Sequence, residues 1–258
     1  GIRDPEMSRG LGDVYKRQEQ DLFVNQPALW HPYTPNLYTL RTQLLSEDKV
    51  LDETTRKIGI RTIRYTAEEG FFINGEKLYM RGANRHQAFA NVGDAASNSM
   101  QVRDVIDLKR GGYNAVRAAH YPNDPAFLEA CDRYGLLVVE CIPGWQFYNP
   151  DSIFIERLYE IGRQMIRRDR NHPSIIMWSI GNEVEQRADE PEGDLISKRL
   201  VNTVRKYDTS RFTTIGSNDF WDRRQFSWDQ DSYRIFKNLD VAGYNYIWWK
   251  YESDHAAY

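Results

Sequence analysis

The chain has 258 residues, 41% of them apolar, with 34 Lys and Arg against 37 Asp and Glu. That length supports one large domain, or one domain with a small companion, and a sizeable core. The near-balance of charge leaves no basic field for nucleic acid or an anionic membrane, and no apolar run approaches the roughly 18 residues of a membrane span.

Residues 1–18, GIRDPEMSRGLGDVYKRQ, are charged, Gly-rich and aperiodic, and read as a non-native or disordered leader. From Trp30 the stretch LWHPYTPNLYTLRTQLL alternates, with Tyr38, Leu40 and Leu44 on one face and Arg41 and Gln43 on the other. RKIGIRTI alternates again through Ile58 and Ile60. Separated by the polar SEDKVLDET, the two runs predict antiparallel strands with one wet face. Residues 19–62 are therefore expected to be the C-terminal part of a β-sandwich, too short to be a whole one.

Beyond that point strands and helices alternate. GFFINGEKLYMRG is a hairpin signal, with Asn74-Gly75 at the turn. SMQVRDVIDLKRGG has helical spacing and ends in two glycines, and NAVRAA is a short strand. DPAFLEACDRYG predicts a helix capped by Asp124, opened by Pro125 and closed by Gly135. GLLVVEC is a strand, and SIFIERLYEIGRQMIRRDR is a helix with Phe154, Leu158, Ile161 and Met165 on one stripe. The strand IIMWSIGNE, a helix over about 193–206, and the strands RFTTIGS and LDVAGYNY complete the pattern. The cysteines, Cys131 and Cys141, have no metal-ligand spacing and read as buried free thiols.

Near-continuous apolar strands joined by helices imply a parallel sheet covered by helices. A doubly wound sheet is disfavoured because no Gly-rich phosphate loop follows the opening strand. Polar residues instead gather at strand C-termini: Asn84 and His86, Arg117 and His120, Glu140, Asn182 and Glu183, Asn245 and Tyr246. That is where a (β/α)8 barrel keeps its active site. The fold class expected over residues 63–258 is thus an α/β, (β/α)8 TIM barrel, incomplete after about six strands.

A ring of Asn, His, Arg, Glu and Tyr flanked by Trp suits a polyhydroxylated neutral ligand. Glu183 is the natural proton donor to a leaving-group oxygen, and Asn182 beside it can hold a sugar hydroxyl. Plainer readings stand beside these. Arg117 and Glu140 could form a buried structural ion pair, His86 and His120 could be satisfied loop histidines, and Trp248-Trp249 could be cleft platforms or packing. Glu185 and Glu183 are too close in sequence to flank one glycosidic bond from opposite sides.

The stretches RGANRH, NAVRAAHYPNDPAFLEACDRYGLLVVEC and above all HPSIIMWSIGNE resemble glycoside hydrolase family 2, the β-galactosidases, β-glucuronidases and β-mannosidases. The resemblance covers roughly residues 30–258 and implies an immunoglobulin-like sandwich before a (β/α)8 catalytic barrel. It implies Glu183 as general acid/base, Asn182 as its companion on the sugar 2-hydroxyl, and His86, Arg117 and His120 lining the cleft. Glu140 matches the acidic residue ending the third strand, and Tyr246 a tyrosine near the nucleophile. The implied partner is a β-linked carbohydrate, with no cofactor, no nucleic acid and no membrane, in a whole protein whose oligomeric state is left open.

Two departures change expectations. IPGWQF stands where one branch of β-galactosidases has magnesium ligands, so no metal site is expected; Gln87 replaces a glutamate common after NRH. The resemblance also places the nucleophilic glutamate at the end of a seventh strand, beyond Tyr258. Glu252, in polar KYESDH, is a poor substitute. The chain itself is then expected to be an inactive piece of a retaining exo-β-glycosidase, most like a β-galactosidase. The alternatives are a non-catalytic carbohydrate-binding fragment and a β-glucuronidase parent.

Overall fold

The structure, a computed structural model, describes residues 20–144, 149, 151–184, 191–217 and 235–257. The expected leader and Glu185 lie outside these. Strands β1 (Trp30–His31) and β2 (Thr34–Pro35) form a short antiparallel pair. Strands β3 (Tyr38–Ser46) and β4 (Lys49–Ile58) form a long antiparallel ribbon. Strands β5 (Ile63–Thr66), β6 (Gly70–Ile73) and β7 (Glu76–Lys77) make a three-stranded sheet whose hairpin turns at Asn74 and Gly75, with φ of 53° and 83°.

Then follow β8 (Gly82–Arg85), α1 (Asn98–Arg110), β9 (Ala115–Ala118), α2 (Pro125–Tyr134), β10 (Leu137–Cys141), α3 (Ser152–Asp169) and β11 (Ile175–Asn182). Helix α4 (Pro191–Tyr207), β12 (Phe212–Ser217), β13 (Gly243–Tyr244) and α5 (Tyr251–Ala257) end the chain. Strands β8 to β13 form one six-stranded sheet in sequential order, each neighbour parallel. Sequential order means that every crossover steps the same way, so the covering helices lie on one face and the sheet curls around the other. A doubly wound sheet would reverse direction midway. The chain is a curled part of a TIM barrel.

Two apolar clusters occupy the two faces. Outside, Val116, Val138, Trp178 and Ile215 of the strands pack on Val105, Phe127, Leu128, Leu158, Ile166, Leu200 and Val204 of the helices. Inside, Ala115, Leu137, Ile176 and Met177 close over Trp30, Phe71 and Ile73. The β5–β6 hairpin and Trp30 therefore plug the bottom of the curled sheet. Trp30 is fully buried; its indole Nε1 donates to the Asp132 carbonyl at 2.7 Å. Nearby, Gly135 closes α2 with φ of +74°, and a Cβ there would stand 2.3 Å from the Pro32 carbonyl oxygen, so only glycine fits.

The turn that launches β11 is clamped from below. Arg61 donates to the carbonyls of Pro173 at 2.6 Å and Ile175 at 2.5 Å, and Arg211 to those of His172 at 2.8 Å and Ile175 at 2.7 Å. Burial, with Arg211 close by, pulls Arg61 down to about 9. Asp132 accepts from the Ser174 hydroxyl at 2.6 Å and lies 2.5 Å from His172 Nδ1.

Two expectations differ in detail. In α3 the buried positions are Leu158, Tyr159, Gly162, Met165, Ile166 and Asp169, while Phe154 and Ile161 remain 39% exposed. The contact face centres on Gly162, where the helix backbone lies close enough to Ile142 that an added Cβ would meet it at 3.0 Å. Counting only large apolar residues rotates the stripe off that face. In the ribbon, the connection is the two-residue turn Glu47-Asp48, with φ of 47° and 64°, and β4 already begins at Lys49. Both ribbon faces are largely exposed, so polarity does not mark the strand's start. Among the described residues the ribbon pairs with no other strand.

Removing the plug should be costly. Trp30→Ala is expected to destabilise the chain by about 3–5 kcal/mol. Trp30→Phe, which keeps one aromatic ring but loses the second ring and the indole donor, should cost less, about 2–3 kcal/mol. Urea unfolding of both variants measures the difference.

Candidate active site

Side-chain direction along each parallel strand decides which residues reach the inner face. On β10, Leu137 and Val139 belong to the inner cluster and Val138 to the outer one. The period of two therefore sends Glu140 outward, among the helices. Glu140 is fully buried; Oε1 accepts from the Asn123 backbone N–H at 2.7 Å, and Oε2 has no partner among the described residues. Burial drives its carboxyl up to about 8, against the Asn123 N–H bond and the charges of Arg168 and Arg85. The structure thus removes Glu140 from the cleft, and with it the Arg117–Glu140 ion pair.

Arg117, paired in register with Asn84 and Val139, points inward. Its Nη2 donates to Asn182 Oδ1 at 2.6 Å, and Nη1 lies 3.5 Å from Asn245 Oδ1. Space for the guanidinium exists because Gly216 has no side chain: a Cβ there would stand 2.3 Å from Arg117 Nη2 and 2.9 Å from Asn245 Oδ1. Burial lowers the Arg117 pKa, with Cys141, Glu183 and Tyr246 opposing.

Asn182 ends β11, and Glu183 follows with φ of +51°, a conformation unusual for a side-chain-bearing residue. Their N–H groups donate to the Gly144 carbonyl at 2.8 Å and the Gly216 carbonyl at 2.7 Å. These bonds hold the strand end and keep Glu183 at only 5% exposure. Asn245 Nδ2 donates to Asn182 Oδ1 at 2.9 Å and to Glu183 Oε1 at 2.7 Å. Asn182 Nδ2 is buried and has no partner among the described residues. A buried donor left open beside a carboxylate suits a ligand hydroxyl.

Tyr246, at φ of +68°, is exposed, and the Glu183 carboxylate raises its hydroxyl pKa by charge and by a hydrogen bond. His86 and His120 meet edge to face with ring centroids 5.4 Å apart. Burial, Arg117 and His86 push His120 down to about 4, so its imidazole is neutral at neutral pH. The structure therefore brings Glu183, Asn182, Arg117 and Tyr246 together with His86 and His120 beside them, and leaves Glu140 out. Trp248 and Trp249 lie just beyond, 70% and 42% exposed and edge to face at 6.1 Å. Among the described residues no three metal-ligating side chains cluster.

Asn245 was countable as a strand-end polar residue, but nothing in GYNY distinguishes it as the residue joining Arg117, Asn182 and Glu183. The outer support was also not readable. Arg85 donates to Asn123 Oδ1 at 2.6 Å, Gln101 Oε1 at 2.5 Å and Asp104 Oδ2 at 3.0 Å. Gln87 Oε1 accepts from the Asp124 N–H at 3.1 Å, so the amide ties the loop after β8 to the one after β9.

Convergence of these groups at the C-terminal ends of parallel strands defines the active face of a barrel enzyme domain. The chain belongs to the glycosyl hydrolases family 2: residues 65–246 match the family's TIM barrel domain, and residues 7–61 match a second region described under the same family name. It is 40% identical over 207 residues to a β-galactosidase of Thermoanaerobacter pseudethanolicus, covering 79% of this chain and 27% of that protein. It is 35% identical over 198 residues to a putative β-glucuronidase of Formosa agariphila, covering 74% and 24%. A crystal structure of a glycosyl hydrolase family 2 member from Bacteroides cellulosilyticus superposes with a TM-score of 0.81 at 37% identity, over 90% of this chain and 30% of that one. The chain thus spans about a quarter of the curated relatives it matches.

Two variants probe this arrangement. Gly216→Ala should push the guanidinium of Arg117 off Asn182 and lower kcat/KM of the whole polypeptide roughly 10²-fold. Its melting temperature should change little, because the clash is with the end of a side chain. Glu140→Gln tests the outer carboxyl by linkage. A folded pKa of about 8 lies above the usual 4.5, so stability is fully present below the latter and lost as pH rises through the former. Between pH 5 and 9 the unmodified chain should lose on the order of a few kcal/mol relative to the Gln variant, measured as the pH dependence of the urea midpoint.

Proposed function

We propose that the polypeptide carrying this chain is a retaining exo-β-glycosidase acting on β-galactosides, with Glu183 as general acid/base. The observation that carries this reading is the setting of Glu183: a buried strand-end carboxylate held by Asn245 and Tyr246 beside the open donor of Asn182. Glu183 protonates the glycosidic oxygen as a second carboxylate attacks C1. The bond to the leaving group breaks, and a covalent glycosyl-enzyme forms. Glu183, now anionic, takes a proton from water, which attacks C1 and releases the sugar with its original configuration. Asn182 Nδ2 is assigned to the sugar 2-hydroxyl, and His86, His120, Arg117 and Tyr246 line the cleft.

Glu183 is the only carboxylate bonded into the described inner network, so the nucleophile is assigned to sequence outside it, about 5–5.5 Å away in a retaining pair. A glucuronide is the second candidate substrate, favoured by the relatives that carry the β-glucuronidase name.

The test uses the whole polypeptide. Glu183→Gln should lower kcat/KM roughly 10²–10⁴-fold on alkyl β-glycosides and much less on nitrophenyl ones, whose leaving groups need no proton. Equal losses on both, or an inverted product, would overturn the assignment. A kcat/KM ratio favouring β-glucuronide over β-galactoside would replace the sugar and keep the chemistry.

A further inference from the structure

The polarity of the inner hydrogen-bond network is fixed by one residue. Arg117 carries only donors and stays charged. Its Nη2 at 2.6 Å makes Asn182 Oδ1 an acceptor, and its Nη1 at 3.5 Å faces Asn245 Oδ1. Two consequences follow. The Asn182 amide must turn its nitrogen away, which leaves Nδ2 as the open buried donor. Asn245, with its oxygen toward Arg117, must present Nδ2 to Asn182 Oδ1 at 2.9 Å and to Glu183 Oε1 at 2.7 Å. Flipping either amide would set donor against donor or acceptor against acceptor, which costs a buried bond each time.

We propose that Asn245 is a positioning residue, oriented by Arg117, that reserves Glu183 Oε1 as an acceptor and so places the catalytic proton on Oε2. This rests on the reading of Glu183 as the acid. An amide N–H favours the carbonyl-type oxygen of a carboxylic acid over its hydroxyl oxygen, so the proton resides on the other atom. It leaves Oε2 for the departing glycosidic oxygen as the C1–O bond breaks. The remaining carboxylate keeps its Oε1 bond to Asn245, which favours the anion. Water then returns a proton to Oε2 in the second step.

The same donor serves Asn182 and Glu183, so the groups for the sugar hydroxyl and for the leaving group are set by one amide. The titratable groups facing Glu183 are Arg117 from β9, His120 in the following loop and Tyr246 after β13. The Tyr246 hydroxyl, which also bonds Glu183, and the neutral imidazole of His120 can each donate and accept; Asn245 is the group whose amide joins Arg117, Asn182 and Glu183.

Three variants of the whole polypeptide test this, each assayed on nitrophenyl and alkyl β-glycosides across pH. Asn245→Ala is expected to lower kcat/KM at least roughly tenfold more on the alkyl substrate than on the nitrophenyl one. Because the anion loses a donor, the alkaline limb of its pH profile should move up by about one unit. Asn245→Asp, which sets a second carboxylate against Oε1, should move that limb further in the same direction. Arg117→Lys keeps the charge but not the two-pronged donor, so it should reproduce the leaving-group dependence while moving the limb less. Equal losses on both substrates with an unmoved limb would reduce Asn245 to a packing role and overturn the proposal. Glu183→Gln run in parallel separates the two claims: if it shows no leaving-group dependence, the acid itself is misassigned.

Discussion

Everything at the active face depends on the sheet being curled tightly enough for β9 to reach β13. In a flat sheet, strands four places apart would lie roughly 19 Å from each other. Here Arg117 of β9 comes within 3.5 Å of Asn245, just past β13. Curling follows from sequential parallel order, which puts the helices outside, and from the apolar plug of Trp30, Phe71 and Ile73 within. The plug sets how closely the strands can approach at the bottom. The glycine at position 216 sets how closely they approach at the top.

Much of this was legible in the sequence, because the signals are local. Asp124, Pro125 and Gly135 bound α2 as their chemistry demands: the Asp124 carboxylate accepts from the Ala126 N–H at 2.8 Å, and Gly135 takes the left-handed cap. The Asn74-Gly75 turn and the strand ending in Asn182 and Glu183 were equally direct. Clustering of polar residues at strand ends points to a barrel on its own. What local signals miss is direction. Glu140 stands near the end of β10 as Glu183 stands just past the end of β11, yet its place in the alternation turns it among the helices, where burial keeps a proton on it to about pH 8. Glu183 escapes the same fate through its positive φ, which no propensity announces. Asn245 was likewise invisible as a junction, since its three partners lie 62 or more residues away.

The site is supported from two sides by different physics. Its inner side is a short network of amides and one guanidinium, where each group's donor or acceptor character constrains the next. Its outer side is a buried polar layer: Arg85, Asn123, Gln101 and Glu140 hold the loop after β9 in place. Such a layer tolerates charge only because nearly every polar atom has a partner. The Gln87 amide joins the loops that carry His86 and His120, keeping their rings in contact without adding another negative charge near Asp124.

The indole of Trp30 has a consequence for how such a protein could be assembled from parts. A boundary drawn at residue 62, where strand patterning changes, looks like a seam between modules. Contacts cross it all the same, because Trp30 seals the base of the sheet and Pro32 lies against Gly135. A chimera that swapped the barrel at that point would carry away the bowl and leave its stopper behind. The segment before the seam, from Trp30 on, is therefore the floor on which the curled sheet closes.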